Sequence, residues 1–294
     1  MRTIVMVCVL AFLCTGIITE GAGGAQVEAA AAEDRATWLW NPWMFVEDES
    51  GTLAFLASKE LNKVYVQIDQ EMPADAYRSF IAEAGVQGIQ IYALDGAPNW
   101  VSRKGYVQQD RLMTWLQHYQ AGSASAEKFA GIHLDVEPYL YSDWASNQAA
   151  TVKSYQALLS RAADNAAALS LPIEVDMAFW FDEISYKNQF GIGILAEWVI
   201  AATDSVTIMA YRDSAALIGE FARNEVAFAG KHGKSLVIGV ETGQTAEGAY
   251  LSFFEEGEAY MNKQLSLVQQ QYNGTASYNG IAVHHVGSWM TMKP

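Results

Sequence analysis

Short runs rich in β-branched and aromatic residues recur eight times along this chain from residue 37, and a longer stretch with helical spacing separates most neighbours. The runs are "TWLWNP" (37–42), "KVYVQID" (63–69), "GIQIYALD" (88–95), "AGIHLDVEP" (130–138), "PIEVDMAFW" (172–180), "SVTIMAYR" (205–212), "SLVIGVET" (235–242) and "GIAVHHVGSW" (280–289). Segments such as "ADAYRSFIAEAG", "DRLMTWLQHYQAG" and "NQAATVKSYQALLSRAADNAAALS" are long enough for crossover helices, which parallel strands require. Eight such repeats over residues 36–294 predict one α/β domain, a closed (β/α)8 TIM barrel, whose usual size is about 250 residues. An open doubly wound sheet is the alternative, but no glycine-rich phosphate loop follows the first run.

A barrel of this kind builds its active site at the C-terminal ends of its strands. Those ends are polar here: Asn41, Asp69, Asp95, Glu137, Asp182, Tyr211 with Arg212 and Asp213, and Glu241, with Trp289 closing the last run. In the fourth run, His133, Asp135 and Glu137 occupy every second position and alternate with Ile132, Leu134 and Val136. Strand side chains alternate faces, so the apolar set belongs against the helices and the polar file points into the barrel, Glu137 uppermost and Asp135 one layer beneath. Two carboxyls buried so close cannot both ionise cheaply, which is how one glutamic acid is kept protonated as a general acid near neutral pH. A buried ion-pair network that only fixes the interior, with His133 or Arg212 as counter-charge, is the competing reading.

Residues 1–18, "MRTIVMVCVLAFLCTGII", place a basic residue ahead of an apolar segment and precede a small-residue run, the layout of a secretory signal peptide. The expectation is a signal peptide over 1–25, a disordered lead-in over 26–35, and an exported or wall-associated barrel without stable membrane insertion. Both cysteines, Cys8 and Cys14, fall in the leader, so the mature domain has no disulfide and no thiolate nucleophile or metal ligand. With 33 acidic against 18 basic residues the surface repels nucleic acid, and a neutral or cationic partner is favoured. Nine Trp are available, and aromatic platforms at the rim, Trp40, Trp43, Trp100, Trp180 and Trp289, suit sugar rings.

The stretch "AGIHLDVE" resembles the fourth-strand motif DGxDxDxE of glycoside hydrolase family 18, the chitinases and endo-β-N-acetylglucosaminidases. Gly131, Asp135 and Glu137 match it, while Ala130 and His133 replace its first two acidic positions. "DSVTIMAYRD" resembles the family's sixth-strand MxYD element at Met209 and Tyr211, with Arg212 where Asp is usual. "KSLVIGVETG" resembles the seventh strand, and Trp289 stands where the eighth strand supplies the Trp floor of the sugar subsite. The resemblance implies a secreted polysaccharide hydrolase that retains configuration and needs no cofactor or metal. Glu137 would protonate the glycosidic oxygen, and the substrate's 2-acetamido group would attack the anomeric carbon with Asp135 and Tyr211 orienting it. Trp40, Asp69, Asp95, Trp180, Arg212, Asp213 and Trp289 would contact the oligo- or polysaccharide.

Glu241 supports a different mechanism. A glutamate ending the fourth strand and another ending the seventh is the pattern of retaining barrel glycosidases that use an acid/base and an enzyme nucleophile. A non-catalytic carbohydrate-binding barrel is a third reading, although family 18 lectins typically lack the terminal Glu that is present here. A metal-dependent hydrolase would need His133 together with His284 or His285, and neighbours in a strand point to opposite faces.

Overall fold

The computed structural model describes residues 33–294; the expected signal peptide and most of the lead-in lie outside the described residues. Eight parallel strands close into a barrel: β1 (Asp34–Leu39), β2 (Lys63–Gln67), β3 (Gln90–Asp95), β4 (Gly131–Leu134), β5 (Ile173–Ala178), β8 (Ser205–Met209), β9 (Ser235–Glu241) and β10 (Tyr278–His284). Between β5 and β8 an antiparallel hairpin, β6 (Ser185–Asn188) with β7 (Gly191–Ile194), stands outside the barrel. All eight expected strands are present. The first begins at Asp34, inside the expected lead-in, and the last ends at His284 instead of running to residue 289.

Period-two alternation explains the two layers of packing. Ile132, Leu134 and Val136 join the helix-facing core with Val64, Val66, Ile91, Ile173, Val175, Val206, Ile208, Ile238 and Val283. The opposite faces form a separate interior cluster of Ala36, Trp38, Tyr65, Tyr92, Leu94, Val237 and Ala282. Gly131 is the interior residue of β4 at the Tyr92 level, and a Cβ built there would lie 2.2 Å from the Tyr92 ring. Gly131→Ala is therefore expected to cost about 1–3 kcal/mol by overpacking, read as a lower urea midpoint at unchanged slope. An unchanged midpoint would show that Tyr92 moves aside freely.

The lower interior is charged. Lys63 Nζ binds Asp34 Oδ2 at 2.6 Å and Glu174 Oε1 at 2.8 Å, and lies 4.6 Å over the Tyr92 ring. His133 stacks on Tyr65 with ring centroids 3.6 Å apart and makes a 3.0 Å ion pair from Nε2 to Asp176 Oδ2, which also accepts the Trp38 indole N–H at 2.9 Å. Burial opposes a charge on His133, but Asp176 and Glu174 overcome it and push its pKa up to about 9. A buried ion network does stand inside the barrel, with His133 as one counter-charge. Arg212 takes no part in it.

Candidate active site

The chain leaves β4 at Leu134, and Asp135 to Glu137 follow without regular structure until Pro138 starts a single 3₁₀ turn. The neighbouring strand's exit holds this segment. The Asp135 N–H donates to the Asp95 carbonyl at 3.1 Å, and Gly96 packs so closely that a Cβ on it would lie 1.9 Å from the Asp135 carbonyl oxygen. Asp135 Oδ1 is fully sheltered and has no hydrogen-bond partner among the described residues. Burial, then the Asp176 and Glu137 carboxylates, push its pKa well above the carboxylate range, with His133 opposing.

Glu137 stands one layer higher and accepts a hydrogen bond from the Tyr139 hydroxyl on Oε2. Burial, and after it the charge of Asp176, raise its pKa to about 7, against an opposing influence of His284. The carboxyl lines a cleft of about 360 Å³ with Tyr139, Leu140, Phe179, Trp180, Met209, Tyr211, Arg212, Glu241, Thr245, Glu247 and Leu251. Burial, then the surrounding carboxylates Glu241, Asp176, Asp135 and Glu137, hold the Tyr211 phenol well above its ordinary value, so it is a neutral donor.

Glu241 has the opposite electrostatics. Its Oε1 accepts the backbone N–H groups of Thr242 at 2.8 Å and Gly243 at 2.6 Å, and its Oε2 lies 2.7 Å from His284 Nδ1. The Trp40 indole N–H, which can only donate, reaches His284 Nε2 at 2.8 Å, so that nitrogen accepts and the proton sits on Nδ1, directed at Glu241. Burial alone would raise the Glu241 pKa; the His284 hydrogen bond and the two backbone donors outweigh it and hold the carboxyl below the usual glutamate range. Two glutamic acids thus face one cleft with pKa values driven apart, the arrangement that separates a proton donor from an anion.

Of the residues expected at the site, Glu137, Tyr211, Glu241, Trp180 and Arg212 line this cleft, with Asp135 beneath and Trp40 joined through His284. The others stand elsewhere. Trp289 is buried in the helix Val286–Thr291, donates its indole N–H to Glu258 at 3.1 Å and packs edge-on against Phe55. Strand β10 ends five residues before it, and its ring, 1% exposed, does not line the cleft. Trp100 is likewise 5% exposed, inside a 3₁₀ turn. Asp69 organises the turn after β2, accepting the Trp43 indole N–H at 2.8 Å and the Glu71 N–H at 2.9 Å. Asp95 accepts the Gly96 N–H at 2.8 Å, and burial raises its pKa to about 6. Asp213 donates its backbone N–H to the Tyr250 carbonyl at 3.1 Å. None of these three lines the cleft.

Three participants escaped the sequence reading. Asp176 and Glu174 alternate with Ile173, Val175 and Met177 in "IEVDMA", the same period-two signal as the His133 file. His284 is the register partner of Glu241 in the β9–β10 pairing, a neighbour relation invisible without the sheet. His285 does not alternate to the far face of a strand, because the strand has ended: its Nδ1 accepts the Gly287 N–H at 3.1 Å and caps the last helix, its ring 4.9 Å from that of His284. His133 and His284 both pack edge-on against Trp38, at 6.1 and 5.2 Å, and among the described residues no group of three or more His, Cys, Asp or Glu side chains is placed so that it could hold a metal ion. No helix among the described residues is long and apolar enough to cross a membrane.

No family model and no curated protein matches this chain. Among solved structures it is similar to a GH18 chitinase from Pseudoalteromonas aurantia, at 13% identity over 87% of this chain and 95% of that one, with a TM-score of 0.55. It is also similar to the spore cortex-lytic enzyme SleL of Bacillus megaterium QM B1551, at 11% identity over 88% and 73% of the two chains and a TM-score of 0.55. A third similar structure is an exo-beta-1,4-mannosidase from an Opitutaceae bacterium, at 12% identity and a TM-score of 0.58, covering 87% of this chain and 52% of that one. At such identities the likeness is one of backbone. The chain has the (β/α)8 barrel fold that these three proteins share.

Proposed function

We propose that this protein is an exported glycoside hydrolase acting on a polysaccharide, with Glu137 as its general acid. The observation that carries the reading is the Glu137 carboxyl, raised to about 7 in a cleft walled by Tyr139, Phe179, Trp180 and Tyr211, while Glu241 in the same cleft is held anionic. The protonated Glu137 donates to the departing glycosidic oxygen, so the leaving group departs as an alcohol. Positive charge then develops at the anomeric carbon and the Glu241 carboxylate captures it as a glycosyl ester, which water, deprotonated by the now anionic Glu137, cleaves to free the sugar and restore both carboxyls. The His284–Trp40 pair keeps Glu241 unprotonated and fixed in orientation.

One observation favours a second account of the same cleavage. Asp135 presents a sheltered, unpartnered Oδ1 below Glu137, with the Tyr211 phenol nearby. Asp135 is only half-buried, and a turn of its side chain toward the cleft would bring it to a 2-acetamido group of the substrate that acts as the internal nucleophile, the route that the family 18 resemblance implies.

Hydrolysis of matched aryl glycosides bearing either 2-acetamido or 2-hydroxy sugars, by wild type, Glu137→Gln, Glu241→Gln and Asp135→Asn, separates the two. Loss with Glu137→Gln and Glu241→Gln on the hydroxy panel supports the two-carboxylate route. Activity confined to the acetamido panel, lost with Glu137→Gln and Asp135→Asn but kept by Glu241→Gln, supports the substrate-assisted one. Sugar binding without hydrolysis of either panel would overturn the enzyme reading in favour of a binding barrel.

A further inference from the structure

Arg212 is the only basic residue among those lining the cleft, and it departs from the acidic residue that the sixth-strand resemblance leads one to expect. Its guanidinium is held over three rings, 4.4 Å from the centroid of Phe221, 5.2 Å from Phe179 and 5.5 Å from Tyr250. One N–H donates to the Tyr211 carbonyl at 2.6 Å. Among the described residues it has no carboxylate partner, although the chain carries 33 acidic residues and Asp213 is its neighbour in sequence. An arginine has five N–H donors in a planar fork that matches carboxylate geometry, and stacking against rings fixes that fork without using its edge.

From this placement we infer that the substrate carries a carboxylate, and that Arg212 binds it beside the scissile bond. The inference rests on the glycosidase reading of the cleft and names the substrate class within it: a glycan containing acidic sugars. The net charge of −15 does not oppose this locally. Screening confines exposed charges to about 10 Å at 0.1 M salt. Of the three glutamic acids in the cleft, Glu137 has its pKa raised to about 7, and Glu241 is an anion whose oxygens are already taken by His284 and two backbone N–H groups. The exposed Glu247 is the remaining one. A cationic amino sugar seated against Glu247 is the opposite prediction, so the two are separable by charge alone.

The test is calorimetric binding in the Glu137→Gln background, which removes turnover. The probes are a glucuronic-acid-containing tetrasaccharide, its carboxyl-reduced neutral counterpart, and an amino-sugar tetrasaccharide. The acidic probe is expected to bind roughly tenfold or more tighter than the neutral one at low salt, the range of a charge-assisted hydrogen bond pair. Adding Arg212→Met should bring the acidic and neutral probes within about twofold of each other, and Arg212→Lys should restore only part of the preference because it lacks the planar fork. Half-molar salt should erode the preference in the Arg212 protein, a measurement that stands even if the Met variant fails to fold. Equal binding of all three probes, tighter binding of the amino sugar, or a preference that survives Arg212→Met would overturn this inference alone. Binding of none would overturn it together with the carbohydrate reading.

Discussion

Glu137→Gln is expected to lower kcat on glycosides with poor leaving groups by a factor of about 10²–10⁴, the usual contribution of a positioned general acid. Glycosides of dinitrophenol, which depart without protonation, should be hydrolysed at close to the wild-type rate. Equal losses on both would mean that Glu137 binds or orients substrate instead of donating a proton. Stability should move the other way. The Glu137 pKa is raised on folding from its ordinary 4.5 to about 7, so the unfolded chain releases the proton more easily and the folded state loses stability as pH rises from about 4.5 to 7. Glu137→Gln, which cannot ionise, should therefore be more stable than wild type at pH 8 by about 3 kcal/mol and equal to it at pH 4. Activity follows the same proton. The Glu137 acid is present below about 7 and lost above it, whereas Glu241 stays anionic until the pH falls below the ordinary glutamate range.

The second large effect lies at the other end of the barrel. Lys63 is buried between Asp34 and Glu174, and among the described residues no other cation approaches Glu174 except His133, whose Nδ1 is 3.7 Å away. Lys63→Met strips Asp34 of its counter-charge and leaves Glu174 with His133 alone, and breaking such a buried pair costs about 3–5 kcal/mol. The loss should be greatest at pH 7.5 and shrink toward pH 4, where the stranded carboxylates protonate. Lys63→Met combined with Glu174→Met should recover much of it, since an apolar replacement leaves fewer unpaired charges. A single-variant cost below about 1 kcal/mol at pH 7.5, from urea unfolding, would show that water reaches this layer and screens it.

The strand count was legible because each run is bounded by turn formers and separated by helical spacing, and the inward file of His133, Asp135 and Glu137 was legible because pleating has period two. The same rule reveals Glu174 and Asp176 once the interior is known to be polar. Pairings across strands were not legible. His284 meets Glu241 through the β9–β10 register, and Trp40 reaches His284 from β1 only because the barrel closes between β1 and β10. Trp289 was misplaced for a local reason: apolar residues continue past His284, but His285 caps a helix there, so the alternation that would bring Trp289 to the rim stops. The hairpin of β6 and β7 went unread because its two strands are four residues each and half-exposed, with no buried face to impose alternation.

The central claim is that the fold keeps Glu137 protonated near neutral pH at the mouth of the cleft. Carbon-13 titration of its side-chain carboxyl in the free protein, assigned by the signal missing from Glu137→Gln, measures this without any substrate. The account predicts a midpoint near 7, matched by the alkaline limb of kcat/KM on a poor-leaving-group glycoside. A midpoint near the ordinary 4.5 would contradict it.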